Sequence, residues 1–266
     1  MRHFDTVVVS DLHLGARNAR NDEFLSFLRT IRADRLIVNG DLFQDPWLRG
    51  LRPEDVEVLD ALRRYARYSD ITFLRGNHDP EESWYPGVLG LPVFDELPLT
   101  IGDARYLIYH GHGWDKALEL PALVIAMADA VYTGTQWLDP THRLAKALKR
   151  KCKTFCRAVK NLRSAAVQAA RERGFDGVIL GHTHIQEDAL IEEPGERPVH
   201  YLNSGCWTEQ PCGYIGIRDE RAKIYRWPTL ASAELPAPLL KRSQRLTSSV
   251  AWWTEPLPSE WELAGM

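Results

Sequence analysis

Five short clusters of aspartate, asparagine and histidine recur along the first two thirds of the sequence. The first is Asp11-Leu12-His13, which directly follows a β-branched run at 6–9 that reads as a buried strand. The other four are GD at 40–41, GNHD at 76–79, HGH at 110–112 and GHTH at 181–184. One Asp/His pair is weak evidence for a site, but five clusters in succession at strand ends predict a metal centre with more than one ion.

The side chains in these clusters offer hard oxygen and borderline nitrogen ligands and no thiolate. Such a set suits manganese, iron, zinc, cobalt or nickel, and does not suit a structural cysteine-zinc site. Two metals held about 3.5–4 Å apart are a recognised device for hydrolysing phosphate esters, because they polarise the phosphoryl group and lower the pKa of a bound water. The residues therefore predict hydrolysis of a phosphoester.

The elements that must position these clusters alternate between strand and helix in the first half. A helix is predicted from Asn21, as N-cap, to about Ile31, and a second from Pro53. Residues 80–104 carry four prolines and are predicted to form a loop with one short strand. Strands are predicted at 6–9, 36–38, 71–74, 106–109, 178–180, 199–203, 213–218 and 222–227.

Strand–helix alternation predicts parallel βαβ pairing, whereas the last two strands read as an antiparallel hairpin. A two-sheet sandwich with outer helices satisfies both. Polar residues at the carboxyl ends of such strands face one crevice. We expect one domain at 1–227 with a helical cap insertion at 115–172, followed by a tail at 228–266 that wraps the domain or is partly loose.

Composition is that of an ordinary globular protein, with 44% hydrophobic residues, 26% charged residues and a formal net charge of −3. Neither a leader-like start nor a bilayer-length apolar run is visible, and the four cysteines match no familiar disulfide or zinc spacing. These features predict a cytoplasmic protein with free thiols.

The ordered motif set resembles the calcineurin-like metallophosphoesterase superfamily. The resemblance implies a four-layer α/β/β/α sandwich and a site with two divalent ions, of which manganese is favoured over iron, zinc, cobalt and nickel. By the same resemblance, Asp41 bridges the two ions. The other ligands implied are Asp11, His13 and His184 for the first metal, and Asn77, His110 and His182 for the second.

Two further residues receive catalytic roles by this resemblance. His78 protonates the leaving oxygen or stabilises the phosphoryl charge, and Asp79 orients His78 by accepting its other ring proton. Within the superfamily, the helical insertion and the sequence NSGCWTE at 203–209 resemble the branch containing UDP-2,3-diacylglucosamine pyrophosphatase. The chain departs from that enzyme at His78, where arginine is expected, and at His112, where aspartate is expected.

The activity predicted is hydrolysis of a phosphodiester or pyrophosphate, with a UDP-sugar lipid as one candidate substrate. A nuclease or cyclic-nucleotide phosphodiesterase, and a non-catalytic scaffold of the same fold, are the alternatives. Arg17 and His112 are candidate substrate contacts; a solvated loop position for Arg17, and for His112 simple replacement of the usual aspartate, are the other interpretations.

A basic run at 143–163 contains nine lysines and arginines and no acidic residue. A solvated helix face is the ordinary explanation. Contact with an anionic substrate, or with the inner face of an anionic membrane, is the alternative, because the run also has an apolar side. Nucleic acid is a less favoured partner, since no recognisable binding module accompanies the run.

Overall fold

A computed structural model describes residues 2–80, 90, 93–117 and 153–227. The helices are α1 (Asn21–Thr30), α2 (Pro53–Tyr65), α3 (Lys153–Glu172) and a 3-10 helix at His112–Ala117. The strands are β1 (Arg2–Val9), β2 (Ile31–Asn39), β3 (Asp70–Leu74), β4 (Val93–Phe94), β5 (Glu96–Ile101), β6 (Ala104–Tyr109), β7 (Gly177–Leu180), β8 (Glu187–Ile191), β9 (Val199–Asn203), β10 (Cys212–Arg218) and β11 (Arg221–Trp227). Predictions for 118–152 and for the tail at 228–266 lie outside the described residues.

The described strands form two sheets. The first has the order β11-β10-β1-β2-β3-β4, in which β1 to β4 run parallel and β10 pairs antiparallel with both β1 and β11. The second has the order β5-β6-β7-β9-β8, with parallel pairing of β6, β7 and β9 and an antiparallel strand at each edge. The predicted parallel first half and the β10–β11 hairpin are confirmed.

Side-chain alternation along β1 shows why the sheets stack. Val7 and Val9 face a core shared with α1 and α2, whereas Val8 faces a second core between the two sheets. Successive residues of a strand point to opposite faces, so an uninterrupted apolar run can line two cores at once. Val8 meets Ile108 and Ile179 of the second sheet in that inner core.

The outer face of the second sheet packs on α3. Leu162, Ala166, Val167 and Ala170 of this helix share a core with Leu107, Val178 and Leu180. The molecule is therefore a four-layer α/β/β/α sandwich, as predicted. Helix α3 lies within the range predicted as a cap insertion, yet from Leu162 onward it forms the fourth layer.

The sequence analysis predicted one short strand within 80–104, where the structure has two, β4 and β5, and it did not predict β8. Both β5 and β8 are edge strands that are mostly exposed or half-buried, so they lack the apolar run that marks a central strand. Pro98 lies within β5, where a missing N–H is tolerated because an edge strand has one side unpaired.

The predicted N-cap of α1 is wrong. Arg20 occupies the N-cap position, and Asn21 is the first helical residue. The Asn21 side chain instead donates from Nδ2 to Oδ1 of the buried Asp55 in α2, at 2.7 Å. The side chain that the sequence predicted to cap the helix therefore forms a tertiary hydrogen bond with Asp55.

Candidate metal centre

Five of the predicted ligands adopt left-handed backbone conformations. Their φ angles are 56° at Asp11, 50° at His13, 51° at Asp41, 66° at His182 and 60° at His184. Such values are uncommon for residues with a side chain and cost about 1–3 kcal/mol each, so the surrounding structure must hold them. Two backbone hydrogen bonds do so in the first loop, from Asp11 N to Gly40 O at 3.1 Å and from His13 N to Asp41 O at 3.0 Å.

Glycine at 181 lets the last ligand loop approach the first. A methyl group at this position would lie 2.5 Å from Ser10 Oγ and 2.6 Å from Asp11 Oδ2, closer than real contacts allow. The close approach lets the backbone N–H of His182 donate to the Asp11 carboxylate, at 3.0 Å to Oδ2. The glycine that precedes His182 is therefore required by contact between loops far apart in sequence.

Six of the seven predicted ligands, together with His78, form three overlapping groups. In each group the potential ligand atoms lie within 4.8 Å of one another. We call them the first ligand group (Asp11, His13, His184), the middle group (His13, Asp41, His78) and the second ligand group (Asp41, His110, His182). Asp41 belongs to two of the three, which is the position expected of a bridging carboxylate.

His110 supplies the clearest sign that a cation fits here. Its ring is fully buried, and Nδ1 donates to the backbone carbonyl of Asn39 at 2.8 Å. Nε2 has no hydrogen-bond partner and lies 3.3 Å from Asp41 Oδ2. A nitrogen lone pair facing a carboxylate oxygen needs a proton or a metal ion between them, so the residues fit a divalent cation.

Charge in the second ligand group supports the same conclusion. Burial disfavours the charged ring of His110, but the neighbouring Asp41 outweighs it and raises the His110 pKa to about 9. Burial also opposes ionisation of Asp41, yet His110 holds the Asp41 pKa well below its usual range. In the absence of metal, protons on the histidines neutralise the carboxylates that would bind the ions.

The first ligand group has a similar arrangement. His184 Nε2 lies 3.1 Å from Asp11 Oδ1 and 3.2 Å from His13 Nε2. Burial opposes the charged form of Asp11, but His184 overrides it and lowers the Asp11 pKa to about 2. His13 differs, because burial and then the nearby His184 lower its pKa to about 4 and leave its ring neutral. A neutral ring is the form that binds a metal.

His78 lies beside these groups, with its ring centroid 5.0 Å from that of His13. Its backbone N–H donates to Asp41 Oδ1 at 2.9 Å, and its ring Nδ1 donates to the backbone carbonyl of Gln44 at 3.0 Å. Nε2 is therefore the ring atom left to face a substrate. The predicted orientation of His78 by Asp79 is wrong, since the Gln44 carbonyl has that role.

Asp79 instead braces the turn that carries Asp41. Its Oδ2 accepts the backbone N–H groups of Asp41 and Gly76, both at 2.8 Å, and its Oδ1 accepts that of Phe43 at 3.0 Å. Burial and the charge of Asp41 raise the Asp79 pKa to about 6. Asp79 thus acts on the shape of the loop and not on the ring of His78.

The remaining predicted site residues are more exposed to solvent. Asn77 is exposed in the loop between Gly76 and His78, and its ligation of the second metal stays a prediction. Arg17 is exposed on the loop after His13. His112 is half-buried, stacks on Tyr109 with ring centroids 5.5 Å apart and lies 5.7 Å from the His110 ring. Its contact with substrate also stays a prediction.

The NSG segment at 203–205, for which the resemblance predicts a supporting turn, contacts both ligand loops. Asn203 donates from Nδ2 to Gly181 O at 2.7 Å and to Thr183 Oγ1 at 3.1 Å. The Ser10 hydroxyl contacts the Asp11 carboxylate and the Ser204 hydroxyl. The NSG motif at 203–205 was the sequence signal for this support. The Gln44 carbonyl that accepts from His78 had no such signal, because a backbone group has no sequence signature.

The basic run is described only from residue 153, and its side chains only from 156. Arg157 and Lys160 are exposed on α3, whereas Arg163 forms an ion pair with Glu187. Membrane contact was one predicted role for this run. Among the described helices, none combines the length and the apolar character needed to cross a bilayer.

Comparison with known proteins gives relatives of two kinds. UDP-2,3-diacylglucosamine hydrolase of Shewanella loihica is 29% identical over 224 residues, which cover 77% of this chain and 89% of that enzyme. The DNA polymerase II small subunit of Thermoplasma acidophilum is 24% identical over 144 residues, or 42% of this chain, and the match spans only 29% of that subunit.

Among solved structures, the E. coli phosphoesterase Yfce is 18% identical over 84% of this chain and 99% of that chain, with a TM-score of 0.44. A novel archaeal phosphodiesterase has 15% identity over 83% of this chain and 98% of that chain, also at a TM-score of 0.44. Structural similarity at these identities and TM-scores assigns no function to this chain.

The sequence profile described as calcineurin-like phosphoesterase matches residues 4–186, which include every predicted metal ligand and both predicted catalytic residues. The same span carries the three ligand groups. The predicted superfamily is therefore confirmed, and with it the prediction of a phosphoesterase. The chain belongs to the calcineurin-like phosphoesterase family of metal-dependent hydrolases.

Proposed function

We propose that the protein uses two divalent ions to hydrolyse a phosphodiester or pyrophosphate bond. The observation that carries the proposal is the position of Asp41 in two ligand groups at once, with Oδ2 lying 3.5 Å from His13 Nε2 and 3.3 Å from His110 Nε2. Asp11, His13 and His184 would hold the first ion. Asp41 would bridge to the second, which His110, His182 and Asn77 would hold.

When bound, the ions would polarise the phosphoryl group and supply a nucleophilic water near neutral pH. The chain itself orients the atoms that would bind the ions. His110 is fixed by its Nδ1 hydrogen bond to the Asn39 carbonyl, so Nε2 is the metal-facing atom. Asp41 is fixed by the backbone N–H of His78 on Oδ1, which leaves Oδ2 toward the histidines.

His78 would provide the proton for the leaving oxygen. Because the Gln44 carbonyl occupies Nδ1, the transferred proton must reside on Nε2. His78 is half-buried and therefore accessible to a substrate bound beside the ligand groups. Stabilisation of the phosphoryl charge by the same ring is the second role compatible with this position.

We infer a UDP-sugar lipid as the first substrate to test, because the Shewanella relative that matches along most of its length is named for a UDP-linked diacylglucosamine. His112 and Arg17 are the residues proposed to contact it. The exposed Arg157 and Lys160 of α3 would attract an anionic substrate or an anionic lipid surface. A cytoplasmic location stays a prediction.

The proposal is tested with metal-stripped protein reloaded with manganese, iron, zinc or cobalt. Each form is assayed on a UDP-linked lipid, single-stranded DNA and a cyclic nucleotide. We expect the parent to bind two ions per chain and to hydrolyse the UDP-linked lipid. Asp41→Asn should lose both the hydrolysis and the binding of two ions. Asp45→Asn is the matched control, because Asp45 is an aspartate in the same loop whose partners are Arg49 and the backbone of Trp47.

Activity confined to DNA or the cyclic nucleotide would replace the substrate assignment by a nuclease or cyclic-nucleotide phosphodiesterase. Two bound ions with no turnover of any substrate would favour a non-catalytic scaffold. A single ion per chain, or an Asp41→Asn variant as active as the parent, would overturn the dinuclear site.

A further inference from the structure

Asn39 ends strand β2 directly before the turn that carries Asp41, and its side chain is fully buried. Nδ2 donates to the backbone carbonyl of Tyr109 at 3.2 Å and to that of Ile179 at 3.5 Å. Tyr109 ends β6 and Ile179 lies in β7, so both acceptors belong to the second sheet, whereas Asn39 belongs to the first. The Asn39 carboxamide therefore joins the two sheets at the edge that carries the ligand loops.

The backbone of Asn39 makes a second contact with the end of β6. Its carbonyl accepts Nδ1 of His110 at 2.8 Å. Because His110 directly follows Tyr109, Asn39 binds both the backbone that precedes this predicted ligand and the ring of the ligand itself. Asp41, two residues after Asn39, has its Oδ2 atom 3.3 Å from His110 Nε2. The two contacts of Asn39 thus lie beside the pair of side chains predicted to share the second ion.

The residue after Asn39 shows how closely the two sheets approach here. A methyl group on Gly40 would lie 2.3 Å from Nδ1 and 2.4 Å from Cγ of the His110 ring, closer than real contacts allow. The ring therefore lies directly against the backbone of the turn. A shift of β6 relative to this turn would change the distance from His110 Nε2 to the Asp41 carboxylate, on which a shared ion depends.

The carboxamide of Asn39 is an unfavourable group to bury at this position. Its Oδ1 atom has no hydrogen-bond partner among the described residues, and a buried acceptor without a donor destabilises the folded state. The three residues before it in β2, at 36–38, are apolar and buried. Packing alone would favour an apolar side chain of similar size at 39 as well. The Nδ2 donor is therefore the feature that packing does not explain.

Histidines that bind metals depend on hydrogen-bond partners that orient them, and loss of such partners typically weakens metal affinity by about 10–100-fold. We propose that Asn39 is a positioning residue for the second metal, acting through His110. Its side chain ties the end of β6 to the turn that carries Asp41, and so sets the spacing between the two ligands. This inference rests on the proposed function in assuming that His110 and Asp41 bind a metal.

The experiment compares Asn39→Leu and Asn39→Ala with Asn21→Leu as the matched control. Leucine keeps most of the volume of the carboxamide without its donor, and alanine removes the donor without the risk of overpacking. Asn21 is also a buried asparagine whose Nδ2 donates to another segment, at 2.7 Å to Asp55 Oδ1, outside the three ligand groups. The control therefore loses a comparable hydrogen bond away from the predicted ions.

Four quantities are measured for each variant. Titration of metal-stripped protein gives the number of ions bound and the affinity for Mn²⁺ and Zn²⁺. The visible spectrum of the Co²⁺ form reports the geometry of the ligands. The ¹⁵N shifts of the His110 ring in metal-free protein report its orientation and tautomer, and chemical denaturation gives the free energy of unfolding.

We expect leucine and alanine at 39 to weaken binding of one ion by about tenfold or more. They should also alter the Co²⁺ spectrum and the His110 ring shifts, while the ion at the first ligand group is affected much less. Asn21→Leu should destabilise the fold and leave metal binding and the ring shifts unchanged. Parent-like affinity, spectrum and ring shifts in both Asn39 variants would overturn the inference, as would equal losses in the control.

Failure of the proposed function has a different signature. In that case the parent itself binds no metal, and the His110 ring shifts of metal-free protein decide the question. Altered shifts in both Asn39 variants, with parent-like shifts in Asn21→Leu, would support the positioning of His110 by Asn39. Unchanged shifts in the Asn39 variants would overturn it.

Discussion

Asp79 accepts the backbone N–H of Asp41 at 2.8 Å, and through that bond it fixes the left-handed turn that presents the Asp41 carboxylate. The same carboxylate accepts N–H groups from Gly76 and Phe43. A buried N–H that loses its acceptor costs about 1–3 kcal/mol. Asp79 is thus a structural support of the site, although it directly follows His78 in the sequence.

Replacing Asp79 by alanine should lower the free energy of unfolding by about 3 kcal/mol or more, since three buried donors lose one acceptor group. Chemical denaturation measures the loss. Asp45→Ala, which removes a carboxylate from an exposed ion pair with Arg49, should cost far less, because solvent screens that pair. Equal losses in the two variants would contradict the bracing role.

His78→Gln should reduce kcat by about 10²-fold or more for substrates with a poor leaving group, because Nε2 no longer supplies a proton. A p-nitrophenyl ester needs little protonation on departure, so the loss with that substrate should be much smaller. His200→Gln is the control, since His200 lies in β9 between Tyr106 and Asp188. An equal loss with both leaving groups would argue against proton donation by His78.

Gly181→Ala should abolish binding at the first ligand group. The added methyl would overlap Ser10 Oγ and the Asp11 carboxylate, and Asp11 would have to move. Gly195→Ala is a stringent control, because it adds a methyl group to a left-handed backbone, which Gly181 does not have, at a position where the methyl meets nothing within 4 Å. Titration of metal-stripped protein should show one ion lost in the first variant and none in the second.

Metal loading should release about two protons per chain at pH 7. In metal-free protein the pKa of His110 lies at about 9, because Asp41 overcomes the effect of burial. The pKa of His184 lies at about 10, because Cys206 and Asp11 overcome it. Both rings are therefore protonated at pH 7 and must lose a proton to bind an ion, so apparent affinity should rise with pH.

Calorimetric titration in buffers of different ionisation enthalpy counts the protons released. A buffer-independent enthalpy at pH 7 would show that no proton leaves, and would contradict the protonation of His110 and His184. Cys206→Ala should release fewer protons than the parent, because it lowers only the pKa of His184. The proton released by His110 should be unchanged, and it serves as the internal comparison.

The stability of metal-free protein should follow the same two groups. Their folded pKa values are raised above the ordinary histidine value of 6.5, so each stabilises the fold below pH 6.5. That contribution is lost as pH rises through about 9 and 10. Thermal unfolding of metal-free protein should therefore show a falling midpoint between pH 7 and 10. With metals bound, the fall should be smaller, because the ions replace the protons.

The sequence by itself determined the ligand types and the central strands. Asp11, His13, Asp41 and the histidines at 110, 182 and 184 were identified because each lies in a short polar cluster at the end of an apolar run. The position of such a residue at a strand end is a local property, and parallel strands carry their ends to one edge of a sheet. The two-sheet sandwich with outer helices followed from the same alternation, together with the hairpin of β10 and β11.

Only the tertiary structure decided which groups support the ligands. Asp79 is adjacent to His78 in sequence but braces Asp41, and the orienting acceptor of His78 is a backbone carbonyl 34 residues away. Edge strand β8 was missed because its residues, exposed or half-buried throughout, carry little apolar signal. Ligand identity is written in residue type, whereas support depends on hydrogen bonds between segments that meet only after folding.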